Sequence, residues 1–271
     1  MAVLQAAGVS LFVVAFGRHL TESTGSIRHA GQWSVFVAGV LLLGQFAIEA
    51  ARMADDWAGV ANPALQRLAM ASPGAAVLVA RILGLALVSL GLRFQVPHGR
   101  ALSVPGAVLI GGSFALMGHT FEHPLRALLG PLLIVHVLIV AFWFGALLPL
   151  YLVTTREAAP CAARTIEAFS ALATGLAPLI AAAGLAMTLV LVRRLDVFAT
   201  PYGALLIGKA AGFVTLMGFA ALNKWRLGPR IATNEHAGLS FRRSLATEYA
   251  LIATMLAATA VMTTFFSPAP S

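Results

Sequence analysis

The chain has 271 residues, 59% of them hydrophobic and 10% charged, with a formal net charge of +8. A soluble domain carries about 25% charged residues, so one aqueous globule is excluded: no single core of this size hides that much apolar side chain. The 18 Lys and Arg lie mostly in short connecting segments and form no basic face or arm, which argues against nucleic-acid binding.

Apolar runs fall at about residues 2–17, 33–51, 74–93, 102–121, 131–153, 168–192, 203–222 and 248–267. Most are close to the ~20 residues a helix needs to cross the hydrocarbon. Backbone in lipid must pair internally, so each run is expected to be helical. The expectation is an all-α polytopic membrane helix bundle of about eight transmembrane helices, with 1–271 as a single integral membrane domain. No basic stretch precedes the first run, and Arg18 follows it; this predicts a retained helix rather than a cleaved signal peptide. The connections are short except 52–73 and 223–247, which leaves no room for an inserted soluble domain.

Eight spans divide the loops into two sets. One set holds Arg18, Arg28, Arg93, Arg100, Arg156, Arg164, Lys224, Arg226, Arg230, Arg242 and Arg243, eleven cations; the other holds Arg52, Arg67, Arg126, Arg193 and Arg194, five. By the positive-inside rule the richer set faces the cytoplasm. Both termini are then periplasmic, in a bacterial inner membrane. Small-residue pairs at helix-packing spacing, Gly208 with Gly212 and Gly111 with Ala115, predict close helix contacts.

Two cations fall inside spans. Arg81 and Lys209 each lie about 10 Å below the predicted periplasmic surface, counting 1.5 Å per helical residue. Glu49 reaches the same level from the second span. Either the long side chains snorkel outward, or they line a periplasm-facing polar cluster with Glu49 as counter-ion.

The densest chemistry is Met117-Gly118-His119-Thr120-Phe121-Glu122-His123-Pro124, followed by His136 and Trp143 on the next span. On a continuous helix His119 and His123 share a face, although Pro124 biases His123 away from helical backbone. A short loop makes spans four and five antiparallel neighbours, so His119 and His136 can converge near the periplasmic mouth. Imidazole and thioether suit copper, with Met117 favouring Cu(I). Two histidines on separate helices equally suit axial ligation of haem b, and plain interhelical hydrogen bonding fits as well. His19, His29, His98 and His236 are placed in cytoplasmic loops. The lone Cys161 excludes an internal disulfide and is read as inert. There is no Walker loop, dinucleotide loop or CxxC pair, and no enzyme activity is expected.

The order of features resembles the copper resistance protein D (CopD) family over about residues 113–266. The matching residues are Gly118-His119, then His136 with Trp143-Phe144-Gly145-Ala146-Leu147-Leu148-Pro149, then Phe169-Ser170. Thr200-Pro201-Tyr202-Gly203 leads on to Lys209, with Asn223, Pro229, Arg243-Ser244 and Glu248 completing the series. The resemblance implies an inner-membrane protein that moves copper from periplasm to cytoplasm, served by a separate periplasmic CopC-like carrier. It makes His119 and His136 the best candidate ligands, with Met117 and His123 as helpers. It also adds Tyr202 to Lys209 in the seventh span. A b-type haem electron carrier and a helper for copper delivery to respiratory oxidases are the competing readings.

Overall fold

The structure, a computed structural model, describes residues 1–94, 98–192, 194–232 and 235–266, without the side chains of His119 and Glu235. In chain order its α-helices are α1 (Ala2–Phe16), α2 (Thr24–Ala54), α3 (Pro63–Met70), α4 (Pro73–Arg93) and α5 (His98–Ser113). They continue with α6 (His119–Glu122), α7 (Arg126–Arg156), α8 (Ala159–Leu191), α9 (Pro201–Leu222) and α10 (Glu235–Phe265). Among the described residues there is no strand, and eight helical stretches are long and apolar enough to cross a membrane. The all-α bundle expected from the eight apolar runs is what forms.

The boundaries differ from those expected most clearly in four places. α2, α8 and α10 begin well before the apolar runs at 33, 168 and 248, because a helix needs hydrocarbon only for its middle. Polar residues continue such a helix beyond its apolar run without any hydropathy signal. In the fourth place the helix is shorter. α5 stops at Ser113, a 3-10 turn covers Phe114–Leu116, and Met117 is extended. Gly118 then takes a φ of +85°, in the region that favours a residue without Cβ. Span four therefore ends before the histidines, and His119 opens the separate one-turn α6.

α1 is the hub. Of its membrane window 61% is buried, against 11% for α8 and for α9, so the first span, one of the less apolar, is the one most enclosed by protein. It packs on α7, α2, α5 and α4. The tightest crossing is at Gly8 of α1 and Gly145 of α7: a Cβ on Gly8 would stand 2.7 Å from the Gly145 Cα, which no real side chain tolerates. Of the small-residue pairs, Gly111 packs under Leu138 of α7 and Gly212 under Met255 of α10, whereas Gly208 faces open space.

The turn into α2 is held by a distant carboxylate. Glu157, just past the end of α7, accepts hydrogen bonds from the Thr21 amide (3.1 Å) and hydroxyl (3.1 Å). It also accepts from the Ser23 amide (2.8 Å) and hydroxyl (2.6 Å). Two of these donors are amides just ahead of the first turn of α2, where negative charge is favoured. Burial pushes this carboxyl up, but the hydrogen bonds from Ser23 and Thr21 outweigh it and hold the group below its ordinary value.

In the second half, α8 packs on α7 and α9 packs on α10, while α7 and α10 meet each other. Consecutive helices α8 and α9 scarcely touch, and a cavity of about 500 Å³ remains among the four.

Candidate functional site

His136 lies on the face of α7 turned toward α8. Its Nδ1 is 3.2 Å from the Ile180 carbonyl oxygen, and Gly184, one turn further along α8, leaves room for the ring edge. A carbonyl only accepts, so Nδ1 carries the proton and Nε2 offers its lone pair. An imidazole fixed through one nitrogen and open at the other is the usual posture of a metal ligand. The ammonium of Lys209 on α9 lies within electrostatic range of the ring.

The rest of the histidine segment has left the helix. Met117 is extended and about half exposed. His123 has extended backbone, as Pro124 favours, and its Nδ1 accepts from the Leu125 amide at 3.1 Å. His119 and His123 therefore bracket a single turn rather than share a long helix face. The expected meeting of the His119 and His136 rings lies outside the described residues, because the His119 side chain is not among them. Among those that are, no three His, Cys, Asp or Glu side chains come together.

The intramembrane polar groups do not form the cluster expected of them. Glu49 bridges Arg52 on its own helix at 3.2 Å, both side chains exposed. Arg81 donates to the Ser113 hydroxyl at 3.0 Å and lies over the Phe114 ring, 4.5 Å from its centroid. The Glu49–Arg81 pair is not formed because each group finds a nearer partner, one a single helical turn away, the other at the end of α5. Tyr202 is buried in the first turn of α9 with Val197 and Met262. Lys209 has no hydrogen bond or ion pair among the described residues. His29, expected in a loop, stands on α2 and accepts from the Trp33 indole at 2.8 Å, because α2 starts early.

A second polar centre lies deeper, on the wall of the cavity. Glu248 of α10 is 2% exposed and accepts from the side-chain amide of Asn223. Among the described residues the Asn223 carbonyl oxygen has no partner, and neither does the hydroxyl of Ser244, one turn before Glu248. The indole nitrogen of Trp143 faces the carboxylate without closing a bond of ordinary geometry. Asn223 opens a π-helical turn, Asn223–Leu227, a distortion found often at functional positions. At the mouth, Lys224 of this π turn donates to Thr174 of α8 at 2.8 Å.

Asn223, Ser244, Glu248 and Trp143 all belong to the series that carries the family resemblance, but nothing in their spacing announces that they meet. The available signal was a carboxylate followed by an apolar run. It was masked because the eighth run begins at 248, which put Glu248 at the membrane edge. With α10 starting at Glu235, the carboxylate is about 20 Å along the helix.

Residues 163–262 match the family model of copper resistance protein D. This stretch of the chain is similar to that family. No curated protein and no solved structure matches the chain. The matched stretch spans most of α8, all of α9 and most of α10, so Tyr202, Lys209, Asn223 and Glu248 lie within it. It is shorter than the 113–266 expected, and the histidine segment and α7 precede it. His136 is nevertheless tied to it, since the carbonyl that orients its ring belongs to Ile180 of α8.

Proposed function

We propose that this CopD-like membrane protein carries copper across a bacterial inner membrane, from the periplasm toward the cytoplasm. Copper is received at the end of the bundle that holds α6, where Nε2 of His136 and the imidazole of His119 are the ligands. Met117 and His123 assist in the transfer from a soluble CopC-like donor. The excess of loop cations at the opposite end supports a cytoplasmic position for that end, and inward movement of a cation uses the membrane potential, worth about 2.3 kcal/mol per charge per 100 mV.

One observation carries this reading: His136 has its ring locked against the CopD-like stretch with one nitrogen free. A histidine serving only helix packing would need no such open valence.

The test is the copper content of detergent-purified protein, wild type beside the double variant His119→Ala/His136→Ala. The wild type is expected to retain copper and the variant to lose at least about nine-tenths of the affinity at that site, since removing even an outer-shell partner of a ligand costs about tenfold or more. Equal copper in both, or a haem absorption band in the wild type that the variant lacks, defeats the proposal. A strain lacking the gene is expected to hold less cytoplasmic copper.

A further inference from the structure

The cavity among α7, α8, α9 and α10 is placed where something leaving His136 would arrive. His136 and Trp143 are seven residues apart on α7, two turns on one helix face and about 10 Å along the axis. The same step runs antiparallel along α8: Ile180 and Gly184 meet the His136 ring, and Ala173 and Ala177, seven residues earlier, line the cavity. One helix interface therefore joins the outer imidazole to the inner carboxylate.

The cavity wall asks for positive charge. Glu248 is in no salt bridge among the described residues. Leaving a carboxylate unpaired at membrane depth costs several kcal/mol. Lys224, the nearest basic residue on the wall, is engaged at the mouth with Thr174. The Asn223 carbonyl oxygen, on a side chain that is 6% exposed, is unpartnered beside the carboxylate. Met217 of α9 supplies a thioether to the same wall. A carboxylate, an amide oxygen and a thioether make a site for one small cation. The thioether favours a soft monovalent ion, while the two harder oxygen donors supply the charge and keep the site weak.

We infer that this cavity is a second copper station, binding Cu(I) through Glu248 and Asn223 with Met217, two turns inward from His136. The inference rests on the copper reading above for the identity of the ion. Glu248 neutralises the ion inside the membrane, and the mixed, weak ligand set lets it go again.

The test is anaerobic titration of the detergent-purified full chain with Cu(I) against a chromophoric chelator, with Ag(I) as a redox-inert substitute. Wild type is expected to bind two ions. Glu248→Gln, nearly isosteric, is expected to bind one, as is the His119→Ala/His136→Ala variant, the two losing different ions. Met217→Leu preserves volume and packing, and is expected to weaken the inner site about tenfold with an unchanged melting temperature. Ag(I) is expected to quench indole fluorescence, and Trp143→Phe to remove that component. Two ions with unchanged affinity in both Glu248→Gln and Met217→Leu overturn the inner site and leave the outer one standing. One ion, lost with Glu248→Gln but not with the histidine variant, sustains the inner site and removes the outer. No bound ion in wild type overturns both.

Discussion

The carboxylate of Glu157 reaches residues 136 and 134 positions earlier in the chain, and it does so as an anion. Because its folded value lies below the unfolded one, near 4.3, the stability it contributes is complete above that unfolded value. It is lost as pH falls through the folded value. Glu157→Gln is therefore expected to destabilise the protein at pH 7 by about 1–3 kcal/mol, the worth of charge-assisted hydrogen bonds. Thermal melts of both proteins should converge as the pH is lowered past that range; a gap that persists in acid contradicts this account. Lys209 belongs to the same scale. Its ammonium opposes a cation at His136 by about 1 kcal/mol at intermediate dielectric, so Lys209→Met is expected to tighten Cu(I) binding there about fivefold, read by chelator competition. Neither relation was legible in the sequence. Glu157 carries no local motif, and Lys209 was read with Glu49 and Arg81 because all three share a depth. Depth along a helix says nothing about azimuth, and azimuth decided the partners.

Among the elements, the membrane thickness made the eight spans legible: each needs a minimum run of apolar residues whatever its neighbours do. The helix ends were not, since outside the hydrocarbon a helix continues or stops on local grounds, as the early start of α10 and the turn at Gly118 show. Close packing was legible only in part. The spacing of Gly208 and Gly212 marks a helix face, but only Gly212 meets a neighbour. The tightest crossing, Gly8 on Gly145, joins two helices whose glycines stand in no pattern together. Gly145→Val is expected to cost at least about 1–3 kcal/mol by overpacking, with loss of monodisperse protein on gel filtration. Gly208→Ala, with nothing within 4 Å, is expected to leave the melting temperature unchanged or slightly raised. If the two variants behave alike, the crossing is not what holds α1 to α7.

At the scale of the whole molecule, orientation rests on the unequal division of loop cations, and Cys161 provides the means to check it. It is the chain's one cysteine, partly exposed near the start of α8, with its thiol directed at the His19 carbonyl. A membrane-impermeant maleimide is expected to label it in inverted vesicles and not in intact spheroplasts; the opposite pattern reverses the topology and the direction of transport together. The candidate site was legible as residue types, histidines and methionine near one surface. Its deeper half was not, because Trp143, Asn223 and Glu248 converge from three helices. The crossing of α1 on α7 also bears on how the protein is made. The first helix leaves the ribosome early, yet its main partner follows only after α2 to α6 have been synthesised. Until then the hub of the bundle must wait beside the translocon with its glycine face turned to lipid, so final assembly is a late event governed by the arrival of α7.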